Sequence, residues 1–296
     1  YLIIMLEQGS NNIRAFHLAG VVPISGANTD FSFPWHSSLQ PIANNYLAVE
    51  RSVVECGFAG CETIWIVCND DIQPIIKNRI GDFIEDPYYM YRSKYKKFPN
   101  EARRQIPIFY TPIHPKDRDR RDSLGWAALH GALTSFIVSS KISKWVVPSR
   151  YYVSFPYGVH DPSHIINFRK KISHTNQFFL TCGDKSIKTG DYLSFTMNAD
   201  EYKQYVWDLK NKCSGGNKDI NSKERWSSKH FTLDKIFGSA TIDESNSYET
   251  DWYYPIDSWE NYRTYLASKH ASHLQRPNER LIKYSEYSKA GENNEH

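Results

Sequence analysis

Residues 13–71 read IRAFHLAGVVPISGANTDFSFPWHSSLQPIANNYLAVERSVVECGFAGCETIWIVCNDD. Glycines and prolines divide the stretch into strand, loop, turn, helix and strand. Residues 13–18 predict a first strand, and Ala19-Gly20 marks a turn out of it. A polar loop with Ser25, Gly26, Asn28 and Asp30 leads on to Pro34 and Pro41. The spacing then predicts a helix over residues 45–56: Ala48, Val49, Ser52, Val53 and Cys56 share one face, with Glu50, Arg51 and Glu55 mostly opposite. Gly57 and Gly60 end it, and residues 63–68 are an unbroken apolar run, the pattern of a strand covered on both faces in a parallel sheet. A βαβ unit of this kind opens an α/β domain.

A chain of 296 residues, 40% hydrophobic and 23% charged, is long enough for one large α/β domain or two small ones. It shows no internal repeat and no linker, so the expectation is a single domain over residues 13–272, an N-terminal extension over 1–12 and a polar tail over 273–296. The net charge of +3 does not by itself argue for nucleic acid. Residues 86–104 interleave Arg92, Lys94, Lys96, Lys97, Arg103 and Arg104 with four tyrosines, a mixture that could grip a nucleic-acid strand. No nucleic-acid-binding motif accompanies it, and a solvated insertion or an oligomer contact is the favoured reading. Five cysteines with no Cys-x-x-Cys and no completing histidine pair point to reduced thiols in an intracellular protein. The opening YLIIML is too short for a membrane span or a signal core, which leads to the expectation of a soluble, cytoplasmic protein without membrane contact. The 20 tyrosines and 8 tryptophans suit either a pocket lined with amphipathic rings or a tyrosine-rich core.

Further along, a helix is expected over 72–84, capped by Asp70 or Asp71 with Pro74 in its first turn. Residues 106–113 read as an end or edge strand because of their prolines. Ser123 caps a helix carrying Ala127, Ala128, Leu129, Ala132, Leu133 and Phe136, and residues 144–153 read as a central strand. A short helix over 164–171, strands over 177–182 and 192–197, and a helix over 199–212 capped by Asn198 follow. Residues 213–229, with adjacent glycines, are the candidate lid.

Leu18-Ala19-Gly20, the polar loop, Leu39-Gln40-Pro41, the helix and the strand after Gly60 resemble, in order and spacing, the opening of the sugar-phosphate nucleotidyltransferases. The resemblance continues through Ser123-Leu124-Gly125-Trp126-Ala127-Ala128-Leu129, similar to the family's nucleobase-packing segment, and through residues 254–262, similar to the segment that closes its catalytic domains. It implies a mostly parallel central sheet with helices on both faces, of the GT-A-like kind. It implies nucleotide contacts from Leu18, Ala19, Gly20, Ser25, Gly26, Asn28 and Gly125, and a metal-reaching role for Asp257 with Mg2+ as cofactor. Where the family carries a Gly-x-Gly-Thr-Arg loop, this chain has Ser25-Gly26-Ala27-Asn28-Thr29; where the family has a lysine, it has His36, Ser37 and Ser38; where the family has a metal-binding Asp after the central strand, it has Ser149-Arg150. Arg150 can neutralise phosphate as a fixed fork but cannot ligate a metal.

The implied activity is transfer of a nucleotidyl group from a nucleoside triphosphate to a phosphorylated sugar-type acceptor, with His36, Arg150 and Asp257 as the catalytic candidates. Two alternatives stay open. The departures suit a non-catalytic relative that binds a nucleotide or a protein, and Asn69-Asp70-Asp71 has a superficial likeness to the metal motif of glycosyltransferases that use nucleotide sugars. Gly125 serves equally as a tight loop-to-helix junction, and Asp257-Ser258 equally as a helix cap.

Overall fold

The computed structural model describes residues 17–26, 33, 35–87, 105–118, 123–174, 177–214 and 232–277. The basic-aromatic segment from 88 to 104, nearly all of the candidate lid, Asn28 and the part of the first expected strand before His17 lie outside them.

The first strand, β1, runs Leu18–Pro23, so Ala19-Gly20 is strand interior and the turn comes at Ser25-Gly26. Val21 and Val22 are β-branched and extend the pairing past the glycine. A small hairpin, β2 (Pro41–Ala43) and β3 (Tyr46–Leu47), precedes the first long helix, α1 (Ala48–Ala59), which ends on Gly60 in the left-handed conformation. Then come β4 (Thr63–Val67), α2 (Gln73–Ile80), β5 (Phe83–Glu85) and β6 (Gln105–Thr111). The expected helix over 72–84 thus stops at Gly81, and its last residues become an edge strand antiparallel to β6. Its N-cap is Ile72 without a side-chain bond, rather than Asp70 or Asp71.

A short helix, α3 (Pro115–Arg118), precedes α4 (Leu124–Ile142), whose cap Ser123 accepts from the Trp126 N–H as expected. The expected central strand over 144–153 shrinks to β7 (Arg150–Val153), behind a 3-10 turn at Lys144–Val146. The remainder is β8 (Gly158–Val159), α5 (Ile165–His174), β9 (Phe179–Thr181), β10 (Phe195–Asn198), α6 (Ala199–Ser214), α7 (Leu233–Phe237), β11 (Ser247–Glu249), β12 (Tyr254–Pro255), α8 (Trp259–Leu266) and α9 (Lys269–His273).

Eight strands form one sheet in the order β11-β9-β10-β7-β1-β4-β6-β5. β5 and β10 run against the others, so the sheet is mixed and mostly parallel. The side-chain period of two sorts β1 between the faces. Leu18 and Val22 join Val49, Val53, Ile76, Ile80 and Ile165 on the side of α1, α2 and α5. Ala19 and Val21 join Ala127, Ala128, Tyr205, Ile236 and Phe237 on the side of α4, α6 and α7. Covering both faces explains why β4 reads TIWIV with no polar alternation. α4 sits close on the sheet because Gly131 has no side chain: a Cβ there would lie 2.6 Å from Val21 Cγ1 and 2.7 Å from Val67 Cγ2. A third cluster, built on Ile42, Tyr46, Val159, Ile256, Tyr262 and Tyr265, fastens the β2–β3 hairpin and the β8–β12 ribbon beneath α8.

Candidate functional site

The chain passes from β1 to β4 and β6 on one side and later returns to β7 on the other, so the sheet has a topological switch point between β1 and β7. In open α/β sheets ligands bind outside the carboxyl ends of the strands at such a point. β1 delivers Ile24, Ser25 and Gly26 there. The Ile24 and Ser25 N–H groups both donate to Val67 O, at 3.0 and 3.1 Å, pinning the loop to the end of β4. Gly26 has φ +78, and a Cβ on it would stand 2.6 Å from the Ser123 carbonyl carbon. Only glycine lets this loop lie against the N-terminus of the 19-residue helix α4.

His36 caps the 3-10 turn Ser37–Leu39, its Nδ1 accepting from the Ser38 N–H at 3.2 Å. Burial lowers its pKa and the Asp71 carboxylate opposes that, so the ring is neutral at pH 7 and lies near the loop after β4. Asp257 precedes α8. Its Oδ2 accepts from Tyr192 OH at 3.1 Å and its Oδ1 from Asn261 Nδ2 at 2.8 Å. The Tyr192 ring lies 5.7 Å from that of Tyr157, whose hydroxyl donates to Ile24 O at 2.8 Å. This chain of contacts brings Asp257 to the end of β1. Arg118 supplies a guanidinium at the same edge, bonded to Ile113 O at 3.0 Å and Asp70 Oδ2 at 2.8 Å.

Four of the residues expected from sequence, Ser25, Gly26, His36 and Asp257, thus gather at the carboxyl edge. Leu18, Ala19, Gly20 and Arg150 do not join them; Gly125 stands beside them in the first turn of α4, and Asn28 lies outside the described residues. Leu18, Ala19 and Gly20 line no loop: Leu18 and Ala19 have no exposed surface, and a Cβ on Gly20 would come 2.9 Å from Cys56 Sγ, so this glycine serves the close approach of α1. Arg150 opens β7 opposite Leu18 and bonds Ile172 O at 3.1 Å and Ser173 O at 2.9 Å, closing the end of α5. From Leu18 to Ser25 is roughly 20 Å at about 3.3 Å per residue, so Arg150 faces the wrong end of the sheet for phosphate. The missing side chain of Gly125 makes room for Ile236, whose Cδ1 would sit 2.3 Å from a Cβ there, so α7 packs against that position.

Sequence reasoning missed Tyr157, Tyr192 and Arg118, which no motif singles out. It also missed the buried group beneath the site. Glu55, on α1, has no exposed surface and accepts from Arg51 Nη1 at 2.6 Å, Tyr152 OH at 2.7 Å, Ser154 Oγ at 2.6 Å and from Ser194 Oγ. Burial would raise its pKa, but His160, the Arg51 charge and the hydrogen bonds from His160 and Ser154 hold it below the usual carboxylate range. His160 is kept neutral by burial against the same pair. Arg51 Nη2 donates to Phe155 O at 2.6 Å, so the network holds the segment that leaves β7.

Neither protein-family models nor curated protein sequences give a match to this chain. Solved structures do. A Bacillus anthracis protein assigned as a glucose-1-phosphate thymidylyltransferase, solved with sucrose, superposes with a TM-score of 0.51 at 9% identity, over 88% of this chain and 98% of that one. The apo form of a UDP-glucose pyrophosphorylase superposes with a TM-score of 0.50 at 12% identity, over 88% of this chain and 100% of that one. The fold is that of the sugar-phosphate nucleotidyltransferases. The expected GT-A-like, mostly parallel sheet with helices on both faces is therefore present.

On this nucleotidyltransferase fold the resemblance implies Mg2+, and the described residues fit a preformed site for it poorly. Among them no three His, Cys, Asp or Glu side chains cluster as metal ligands. Both Asp257 oxygens are engaged, and residues 154–160, which follow β7, contain no carboxylate. Among the described residues no helix is long and apolar enough to cross a membrane.

Proposed function

We propose that this chain binds a nucleoside triphosphate at the carboxyl edge of β1 and β7 and transfers its nucleotidyl group to a phosphorylated sugar-type acceptor. An oxygen of the acceptor phosphate attacks the α-phosphorus, the bond from that phosphorus to the bridging oxygen breaks, and pyrophosphate leaves with the bond's electrons. The attacking oxygen is already ionised at neutral pH, so no general base is required, and the protein's work is positioning and charge neutralisation. The observation that carries the reading is the Ser25-Gly26 turn, laid against the N-terminus of α4 at the switch point. Backbone N–H groups there would face phosphate oxygens. Neutral His36 would act as a hydrogen-bonding group, Asp257 would orient an acceptor hydroxyl, and Arg118 is placed to offset phosphate charge in the role expected of Arg150. No step is routed through a metal ion.

The engaged oxygens of Asp257 and the lack of a carboxylate over residues 154–160 favour one second reading, a nucleotide-binding relative without turnover. Thermal unfolding with each of the four nucleoside triphosphates, with and without magnesium, followed by pyrophosphate release with hexose 1-phosphates, separates the two. A ligand at about 100 times its dissociation constant should stabilise by about 2.7 kcal/mol. Stabilisation with pyrophosphate release supports transfer. Stabilisation without release supports the second reading, and no stabilisation by any triphosphate refutes both.

A further inference from the structure

Three aromatic rings from two distant parts of the chain meet at the rim of this site. Phe33 stacks on Trp35 with centroids 4.9 Å apart and planes 5° apart, and meets Trp259 edge-on at 5.6 Å and 74°. Trp35 remains 45% exposed and Trp259 52%, although each is held in place. Trp35 Nε1 donates to Gln40 Oε1 at 3.1 Å. Trp259 packs on Tyr262 at 6.0 Å, and Tyr262 OH donates to Pro41 O at 2.6 Å. Ordered indoles left half in water are surface the fold has not used. Trp35 is followed directly by His36, and Trp259 stands two residues after Asp257, so the rings are neighbours along the chain of the polar groups already described. Gln40, fully buried, holds Trp35 with its oxygen while its Nε2 donor has no partner among the described residues.

We propose that Phe33, Trp35 and Trp259 form a stacking subsite for a pyranose-type sugar ring, which places the acceptor of the reaction above. A sugar in chair form has a face of C–H groups that lies on an aromatic ring and a rim of hydroxyls that need acceptors and donors. A platform of indoles beside a carboxylate, a neutral imidazole and a tyrosine hydroxyl matches that division. The patch is three rings wide and flanked by polar groups, which suits a small amphipathic ring better than a protein partner. The proposal rests on the nucleotidyl-transfer reading for its acceptor, but the stacking itself is testable without turnover.

The probe is α-D-glucose 1-phosphate, titrated by calorimetry and by indole emission into the whole chain, with inorganic phosphate and UTP as controls. Glucose 1-phosphate should bind and shift the emission while inorganic phosphate does not shift it. Trp35→Ala and Trp259→Ala should each weaken glucose 1-phosphate by about tenfold and leave UTP within about twofold, and Trp259→Phe should restore most of the loss. The melting temperature of each variant checks that it is folded. No binding of glucose 1-phosphate to the wild type, unchanged binding in both alanine variants, or a loss confined to UTP would overturn the subsite, the last outcome making it a nucleobase platform. If pyrophosphate release persists with unaltered acceptor affinity in folded tryptophan variants, the subsite fails and transfer stands. If no triphosphate binds while glucose 1-phosphate still shifts the emission through these indoles, transfer fails and the sugar subsite stands.

Discussion

Replacing Glu55 by glutamine tests the account of what holds the floor of the site. The Arg51 and Glu55 side chains have no exposed surface and meet at 2.6 Å. With the carboxylate gone, the fully buried guanidinium keeps its charge and is left with neutral partners, Phe155 O, Ser52 Oγ and the His160 ring. Breaking a buried pair on one side costs about 3–5 kcal/mol. An amide has one acceptor oxygen for the hydroxyls of Tyr152, Ser154 and Ser194, so at least one of them loses its acceptor, at about 1–3 kcal/mol. Relaxation recovers part of this, and a net loss of about 4 kcal/mol is the expectation, a large share of the roughly 5–15 kcal/mol typical of a folded protein. Urea unfolding followed by far-ultraviolet dichroism and indole emission together should show a lower midpoint at unchanged slope. Adding Arg51→Met removes the stranded charge, so the double variant should be more stable than Glu55→Gln alone, with a coupling of about 2 kcal/mol or more. A single-variant loss below about 1 kcal/mol, or additive losses, would refute the reasoning.

The remaining expectations concern pH, the turn, the helix contact and the far end of the sheet. Burial lowers the pKa of His160, His36 and His130 below 6.5, so the unfolded chain binds protons that the folded one does not; stability should be complete above about pH 6.5 and fall as pH drops below it, by up to about 1.4 kcal/mol per pH unit for each histidine. Glu55, held low, adds its own loss only below about pH 4.5. Melting temperatures that stay flat between pH 8 and 5 would contradict both the burial and the sign. Gly26→Ala places a side chain at φ +78 against the Ser123 backbone and should lose more than about 1 kcal/mol together with triphosphate affinity, measured by melting and calorimetry. Gly131→Ala should cost about 1–3 kcal/mol by forcing α4 off Val21 and Val67. Arg150→Met should lower stability by about 1.5–3 kcal/mol through the lost bonds to Ile172 O and Ser173 O, yet leave triphosphate affinity unchanged; a tenfold loss of affinity would put Arg150 back at the phosphates.

The order of elements was legible because it is written locally. β4 is an unbroken apolar run, α1 carries its apolar face at helical spacing and closes on Gly60, and Ser123, Asn198 and Ser258 cap the helices they precede. Local signals also marked Ser25 and Gly26 as a turn and Asp257-Ser258 as a helix cap, whereas a ligand role for Asp257 came from the resemblance of residues 254–262. What was not legible depends on partners far along the chain. Gly20 resembles a turn glycine, and only the approach of Cys56 and Cys61 explains it inside a strand. Arg150 resembles a phosphate fork, and only α5, whose carbonyls it closes, shows otherwise. The same holds for Glu55, which reads as the polar side of an amphipathic helix until Tyr152 of β7, Ser154 after it and Ser194 before β10 bring three hydroxyls to its carboxylate.

These misreadings share one cause. In a parallel sheet every strand end is either the functional edge or the opposite one, and which residue stands at the edge depends on where the strand stops. Taking β1 to stop at Leu18 rather than at Pro23 moved the edge back along the chain, and starting β7 at Lys144 rather than at Arg150 hid that Arg150 stands at the strand's opposite end. β1 and β7 are paired in register, Leu18 with Arg150 and Val21 with Val153, so Arg150 stands level with the first residue of β1. The register corrects both at once: the ligand edge follows Pro23 and Val153, where Ser25 and Gly26 stand and the buried Tyr157 supports them from beneath. The carbonyl of Ile24 accepting from Tyr157 OH at 2.8 Å is the bond that joins the two strand ends, and through Tyr192 it reaches Asp257. A site assembled this way owes its geometry to tyrosines rather than to the family's carboxylates, which is why its ligand chemistry is better sought in stacking and hydrogen bonding than in a preformed metal centre.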